Sequence, residues 1–189
     1  KGKTAKIKPR NEFVSELMAK MTIDEKIAQT VQYTADGTVT GPKAGINYIN
    51  EIKKGNVGSI LNATTVKYTR ELQKLNLDNS RLKIPLLFGY DVIHGYKTIF
   101  PITLGETASW DLNAVEMGAK IAAAEAAASG VHWTFAPMVD ISRDPRWGRV
   151  SEGAGEDTYL GSKMAIARVK GFQGTDLQQV NTILACTKH

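Results

Sequence analysis

Three short stretches of this chain carry side chains able to hold a small polar ligand, and each follows an apolar run. Tyr90-Asp91-Val92-Ile93-His94-Gly95 comes after the run at 84–90. A loop with Asp140, Arg143, Asp144, Arg146 and Arg149 comes after the run at 132–136, and Lys188-His189 comes after 182–186. Together they offer a carboxylate, a cluster of guanidinium groups and an adjacent Lys-His pair. Vicinal hydroxyls, as on a sugar ring, both donate and accept. A carboxylate accepts from two of them, while Arg, Lys and His donate back through charge-assisted bonds. The set suits a small polyol better than a dinucleotide, and neither GxGxxG nor GxxxxGKS/T occurs.

Each of these residues has a second reading. Asp91 is also placed to cap the turn that follows it. Arg143, Arg146 and Arg149 lie in a Gly/Pro loop, where a surface salt-bridge knot with Asp140, Asp144, Glu152, Glu156 and Asp157 is an alternative to ligand binding. His94 reads as support for the Asp91 loop rather than as a catalyst. His132 sits inside an apolar run and reads as a satisfied core histidine. Trp147 is placed to stack on a sugar face, whereas Trp133 reads as core. The lone Cys186 allows no intrachain disulfide and reads as a small buried hydrophobe. The three His residues lie far apart with no carboxylate at ligand spacing, so neither metal nor cofactor is implied.

These groups must be positioned by regular elements. Asn11 is placed to cap a helix carrying Phe13, Val14, Leu17, Met18 and Met21, and Thr22 with Glu25 forms a capping box for a second. Helical spacing recurs over 43–54 and 66–82, the latter with Leu72, Leu75 and Leu82 on one face. Asp111 caps a helix running to about Ser129 and closed by Gly130, whose alanine run lets a neighbour pack closely. A further helix covers 157–172. Between the helices, 59–62, 84–90, 132–136 and 182–186 read as short buried strands, and 137–156 as a long loop. The alternation predicts an α/β fold with a parallel sheet in about four strand-helix units. A closed (β/α)8 barrel needs about 250 residues, so the 189 residues correspond to its N-terminal half. Parallel strands deliver functional groups at their carboxyl ends, where all three polar stretches fall.

Composition narrows the class. The chain is 42% hydrophobic and 23% charged, ordinary for a globular domain. No apolar run approaches the roughly 18 residues of a membrane span. Five of the 24 basic residues behind the net charge of +5 lie in residues 1–10, which read as a disordered basic tail. The rest are mixed with acids, so the charge reads as a solvated surface and no nucleic-acid partner is expected. Residues 1–10 also lack the apolar core of a secretory signal, so the chain is cytoplasmic or its signal has been removed.

Several longer motifs, in order, resemble glycoside hydrolase family 3. They are Lys20 to Ile27, Gly89-Tyr90-Asp91-Val92-Ile93-His94-Gly95, Phe100 to Gly105, Ala136 to Asp140, Arg143 to Arg149 through Ser151-Glu152-Gly153, and Ala185-Cys186-Thr187-Lys188-His189. The likeness runs from about residue 12 to 189 and is greatest to periplasmic beta-glucosidases. It implies that residues 11–189 are the first half of the family's barrel domain, periplasmic or secreted once mature. It implies that Asp91, Arg149, Lys188 and His189 hold the non-reducing-end sugar, with His94, Asp144 and Glu152 bracing them.

The same resemblance places the catalytic nucleophile, an Asp, and the general acid/base, usually a Glu, beyond His189. Retaining hydrolysis needs two carboxyl groups about 5 Å apart, so no catalytic residue is expected within these residues, and the 189 residues alone are expected to be inactive. The implied parent is an exo-acting retaining beta-glucosidase that takes terminal glucose or xylose from beta-linked oligosaccharides or glucosides. Two rivals stand beside it. One is a non-catalytic half-barrel that self-associates or pairs through exposed strand edges; the other is a beta-N-acetylglucosaminidase of the same family, against which the Arg143–Arg149 motif speaks.

Overall fold

The computed structural model describes residues 9–35 and 47–189. Five parallel strands form one sheet in sequential order: β1 Gln32–Thr34, β2 Ser59–Leu61, β3 Leu87–Tyr90, β4 Trp133–Thr134 and β5 Leu184–Ala185. Each parallel step needs a crossover. These carry α3 Tyr48–Lys54, α4 Val66–Asn79, the pair α5 Thr103–Thr107 and α6 Leu112–Ala128, and α7 Thr158–Gln173. Two helices, α1 Arg10–Lys20 and α2 Ile23–Ala28, precede the sheet. The result is the α/β wall of a (β/α)8-type barrel, with β1 as one strand more than the sequence pattern reveals.

Local chemistry explains the helix starts. Thr22 Oγ1 accepts from Glu25 N–H while the Glu25 carboxylate accepts from Thr22 N–H, a complete capping box. Asp111 accepts from Asn113 and Ala114 N–H, and Asp157 from Leu160 N–H. Gly130 then turns the chain at φ 90°, a region that disfavours side chains. Some expectations shift. α1 begins at Arg10 with Pro9 at its N-cap, where the Pro9 carbonyl accepts from Phe13 N–H at 3.1 Å, and Asn11 lies inside the helix. Leu82 falls beyond α4, which Ser80 ends in an extended conformation. Residues 1–8 of the basic tail and 43–46 of the next helical stretch lie outside the described residues.

Strand side chains alternate between two faces. Ile60, Phe88 and Ile183 point into the helix layer, packed with Ile52 and Leu72 on one side and with Ala122, Ala123, Ala126 and Phe172 on the other. The alanines let α7 approach closely: a Cβ on Gly171 would collide with the Glu116 carbonyl and Ala119. Leu61, Leu87, Trp133, Phe135 and Leu184 occupy the opposite face, which the described residues leave open: Leu87 is 42% and Leu184 37% exposed. Cys186 shares that face and is therefore half-buried rather than buried. Trp133 is half-buried as well, its indole filling the space a side chain at Gly89 would take. His132 stacks on Phe88 and its Nδ1 accepts from Phe88 N–H at 3.0 Å, so it is satisfied as expected, but its ring is partly exposed.

Candidate functional site

Asp91 is the first residue past β3. Val92 N–H donates to Thr134 Oγ1 at 2.9 Å, which ties the start of this loop to β4. Past β5 the pairing continues without a formal strand: Val139 N–H donates to the Lys188 carbonyl at 2.7 Å, and Lys188 N–H to the Pro137 carbonyl at 3.0 Å. This ladder brings Lys188 to Asp91, where Nζ donates to Oδ1 at 2.9 Å and lies 3.9 Å from Glu152 Oε2. The Lys188 and Asp91 side chains are largely buried, 14% and 20% exposed.

Arg149 and Glu152 come from the loop after β4. Ser142 N–H closes the base of that loop on the Gly155 carbonyl at 3.0 Å, and a 3-10 turn, Val150–Glu152, places the two side chains together. Arg149 forks onto Glu152, Nε to Oε1 and Nη2 to Oε2, both at 2.8 Å. Its Nη1 meets His189 Nε2 at 2.9 Å. A guanidinium only donates, so Nε2 must accept and the imidazole proton sits on Nδ1. Nδ1 then donates to Asp140 Oδ2 at 2.7 Å. The six side chains form one continuous series: Asp91, Lys188, Glu152, Arg149, His189 and Asp140.

Electrostatics follow from these pairs. The Arg149 fork holds the Glu152 carboxyl below its ordinary value, and Glu152 in turn raises Arg149. The His189 hydrogen bond lowers Asp140 in the same way. The carboxylate oxygens of Asp91, Glu152 and Asp140 offer acceptors for hydrogen bonds from hydroxyl groups. The cationic N–H groups stand ready to donate to hydroxyl oxygens.

The structure thus brings together Asp91, Arg149, Lys188, His189 and Glu152. It keeps Asp144 apart: the exposed Asp144 carboxylate takes Arg146 N–H, Nε and Nη2 onto itself, a local turn pairing that leaves it outside the series. The salt-bridge reading of that loop thus describes both Arg146 on Asp144 and Arg149 on Glu152, but only Arg149 also reaches His189. His94 faces the Phe100 carbonyl at 2.9 Å and closes the 94–100 turn, which is loop support. Trp147, with Arg143 and Asp140, lines an open concavity beside the series. A second cleft, among Glu25, Lys54, Ser80 and Arg81 at the amino ends of the strands, holds none of these residues.

Three contributors escape sequence reasoning. Asp140, the orienting partner of His189, was visible only as one acid among several. Glu125, within the alanine run of α6, accepts from Lys97 N–H and Thr98 N–H, both at 2.8 Å, and from Thr98 Oγ1 at 2.6 Å. Arg168 on α7 donates to the Ile93 carbonyl at 2.6 Å and pairs with Glu106. The available signal for Arg168 was its spacing with Met164, Ala167, Gly171 and Phe172, which puts a charge on the buried face of its helix.

Comparison with known proteins identifies the family. The chain is 47% identical over 180 residues to a periplasmic beta-glucosidase of Salmonella typhimurium, covering 95% of this chain and 23% of that protein. It is 33% identical over 178 residues to a putative beta-xylosidase of Formosa agariphila, covering 86% of this chain and 24% of that one. A solved structure of a beta-glucosidase from Listeria innocua in complex with isofagomine superposes with a TM-score of 0.85 at 41% identity, over 96% of this chain and 26% of its own. The chain spans about a quarter of the length of these relatives. The family model described as glycosyl hydrolase family 3 N terminal domain matches residues 22–189, and the chain belongs to that family.

Proposed function

We propose that this domain supplies the sugar-binding half of the active site of an exo-acting, retaining beta-glucosidase that releases terminal glucose or xylose from beta-linked oligosaccharides or glucosides. One observation carries the reading: Asp91, Lys188, Arg149 and His189, from three separate strand ends, lie in one run of hydrogen bonds and ion contacts in a family 3 domain. Asp91, Lys188, Arg149 and His189 exchange partners with ring hydroxyls, while Glu152 and Asp140 hold the arginine and histidine in place. The nucleophile and acid/base come from residues outside these 189. Arginine and histidine hold Glu152 and Asp140 in their charged forms, which suits them to orient rather than to protonate a leaving group. A periplasmic or secreted setting accompanies the reading, by analogy with the Salmonella relative.

The test uses protein expressed from its complete reading frame and an aryl beta-glucoside, with the first-formed sugar observed by proton NMR. Release of beta-configured glucose ahead of its mutarotated anomer is the expected result. No hydrolysis of either glucoside or xyloside, or initial release of the alpha anomer, defeats the proposal.

A second reading rests on the sheet face where Leu87 and Leu184 are exposed and Leu61, Trp133 and Phe135 are half-buried. On that reading the 189 residues by themselves cover this face by associating, and cleave nothing. Sedimentation of the 189-residue polypeptide would then give a mass that rises with concentration, and a monomer at every concentration opposes it.

A further inference from the structure

Arg168 stands on the buried face of α7 with its side chain only 5% exposed, and Glu106 opposite it is 13% exposed. A guanidinium in such surroundings is unfavourable unless its donors are used. Arg168 Nη2 donates to the Glu106 carboxylate from α5, and Nη1 donates at 2.6 Å to the carbonyl of Ile93. Its Nε has no partner among the described residues. Two of its contacts therefore join α5 and α7 to a backbone atom two residues past Asp91.

The other tethers of this loop lie on either side of that point. Val92 N–H is held by Thr134 at 2.9 Å, at the sheet end. Tyr96 Oη donates to the Thr64 carbonyl at 2.7 Å, and Glu125 takes the tip at Lys97 and Thr98. Between them, the Ile93 carbonyl receives a charge-assisted bond from the helix layer. Removing that bond frees the stretch from Ile93 to Gly95, which leads out of Asp91 through Val92, while the strand and the loop tip stay attached.

We infer that Arg168 is a positioning residue for the sugar site: by holding the Ile93 carbonyl it sets where Asp91 stands, and Glu106 keeps Arg168 within reach of that carbonyl. The inference rests on the reading of Asp91 as a sugar-binding carboxylate. Lysine is a poor substitute, since one ammonium does not reproduce the two-armed grip.

A double-mutant cycle in the complete protein tests it, with kcat/KM for an aryl beta-glucoside as readout. Arg168→Met is expected to lower kcat/KM by roughly 10- to 100-fold, the scale of an ångström-sized misplacement. In an Asp91→Ala background the same substitution is expected to cost less than about threefold, because its route of action is already cut. An equal loss in both backgrounds overturns the inference and leaves a merely structural ion pair. Should Arg168→Met fail to fold, Glu106→Gln serves, keeping the shape and an acceptor and giving a smaller loss with the same dependence on Asp91. Deuterium uptake supplies a readout independent of hydrolysis. Glu106→Gln is expected to speed exchange in the peptide spanning 90–95 while sparing α6, and unchanged exchange there also overturns the inference. Wild-type protein that cleaves no glucoside defeats the proposed function, and the exchange result still decides whether Arg168 holds the loop.

Discussion

Two ion-pair systems within the same domain show opposite designs. At the carboxyl ends of the strands, Asp91, Lys188, Glu152, Arg149, His189 and Asp140 lie side by side, with Arg149 43% and His189 45% exposed. Between the helices, Arg168 and Glu106 are sealed from solvent, and burial pushes the Glu106 carboxyl up from its ordinary value against the pull of Arg168. At the Arg149 and His189 end of the series solvent competes for the bonds, so those pairs contribute little to folding, whereas Lys188 and Asp91 are largely buried. On the proposed reading, that same accessibility is what sugar hydroxyls would use to replace its internal partners. The closed pair binds nothing and fixes the backbone. Interchange would defeat both: a sealed series admits no ligand, and a solvated pair holds no loop.

The largest effect should come from unbalancing the closed pair. Glu106→Ala leaves the Arg168 charge buried without its counter-ion, and breaking a buried pair from one side costs about 3–5 kcal/mol. Thermal unfolding should show a fall in Tm well beyond that of any single substitution in the open series. An unchanged Tm would mean that the pair is as solvated as the rim.

Next comes the open series, where the loss should appear in turnover and not in stability. Asp91→Ala in the complete enzyme is expected to lower kcat/KM at least a hundredfold, about 2.7 kcal/mol, with Tm nearly unchanged. Near-wild-type turnover removes Asp91 from the site. Glu152→Gln keeps one acceptor for Arg149 but loses the charge-assisted fork. It is expected to cost about tenfold, ~1.4 kcal/mol, because the brace acts only through the arginine it holds. A loss equal to that of Asp91→Ala would place Glu152 in direct contact with sugar.

The two systems also differ in how far the sequence discloses them. Asp91, Lys188 and His189 are legible because each follows a strand, and a parallel sheet places such residues together whatever their separation along the chain. Arg149 is singled out from Arg143 and Arg146 by motif likeness, since spacing treats the three alike; its fork onto Glu152 is a local i, i+3 contact that a turn makes visible only afterwards. Asp144 misleads for the same reason, being equally close in sequence yet folded onto Arg146. The Arg168 pair is hidden because its partners lie 62 and 75 residues away, on elements whose approach depends on how α6 and α7 pack. The fold follows the same rule. The apolar runs at 59–62 and 84–90 announce strands, whereas β1 is three residues of mixed character and α5 is five residues interrupted by Gly105, too short for either period to register.

A third ion pair, fully outside both systems, sharpens the contrast at its weakest end. Arg81 donates from Nε and Nη2 to the Glu25 carboxylate at 2.9 and 2.6 Å, where the capping box of α2 already uses that carboxylate. The arginine bonds, with the Thr22 backbone N–H second, bring Glu25 down to about 2 from an ordinary value of 4.5. The folded carboxylate is therefore the harder one to protonate, and the unfolded chain takes up the proton first as pH falls. Its contribution is complete above about 4.5 and disappears as pH descends towards about 2. Unfolding midpoints of wild type and Glu25→Gln should accordingly differ slightly near neutrality and converge through that window. Added salt should shrink the neutral-pH difference, since the pair is solvated and screened. Salt should leave the Glu106→Ala loss almost intact, because solvent ions do not reach Arg168. Equal salt sensitivity in the two variants would erase the distinction between the sealed pair and the exposed ones.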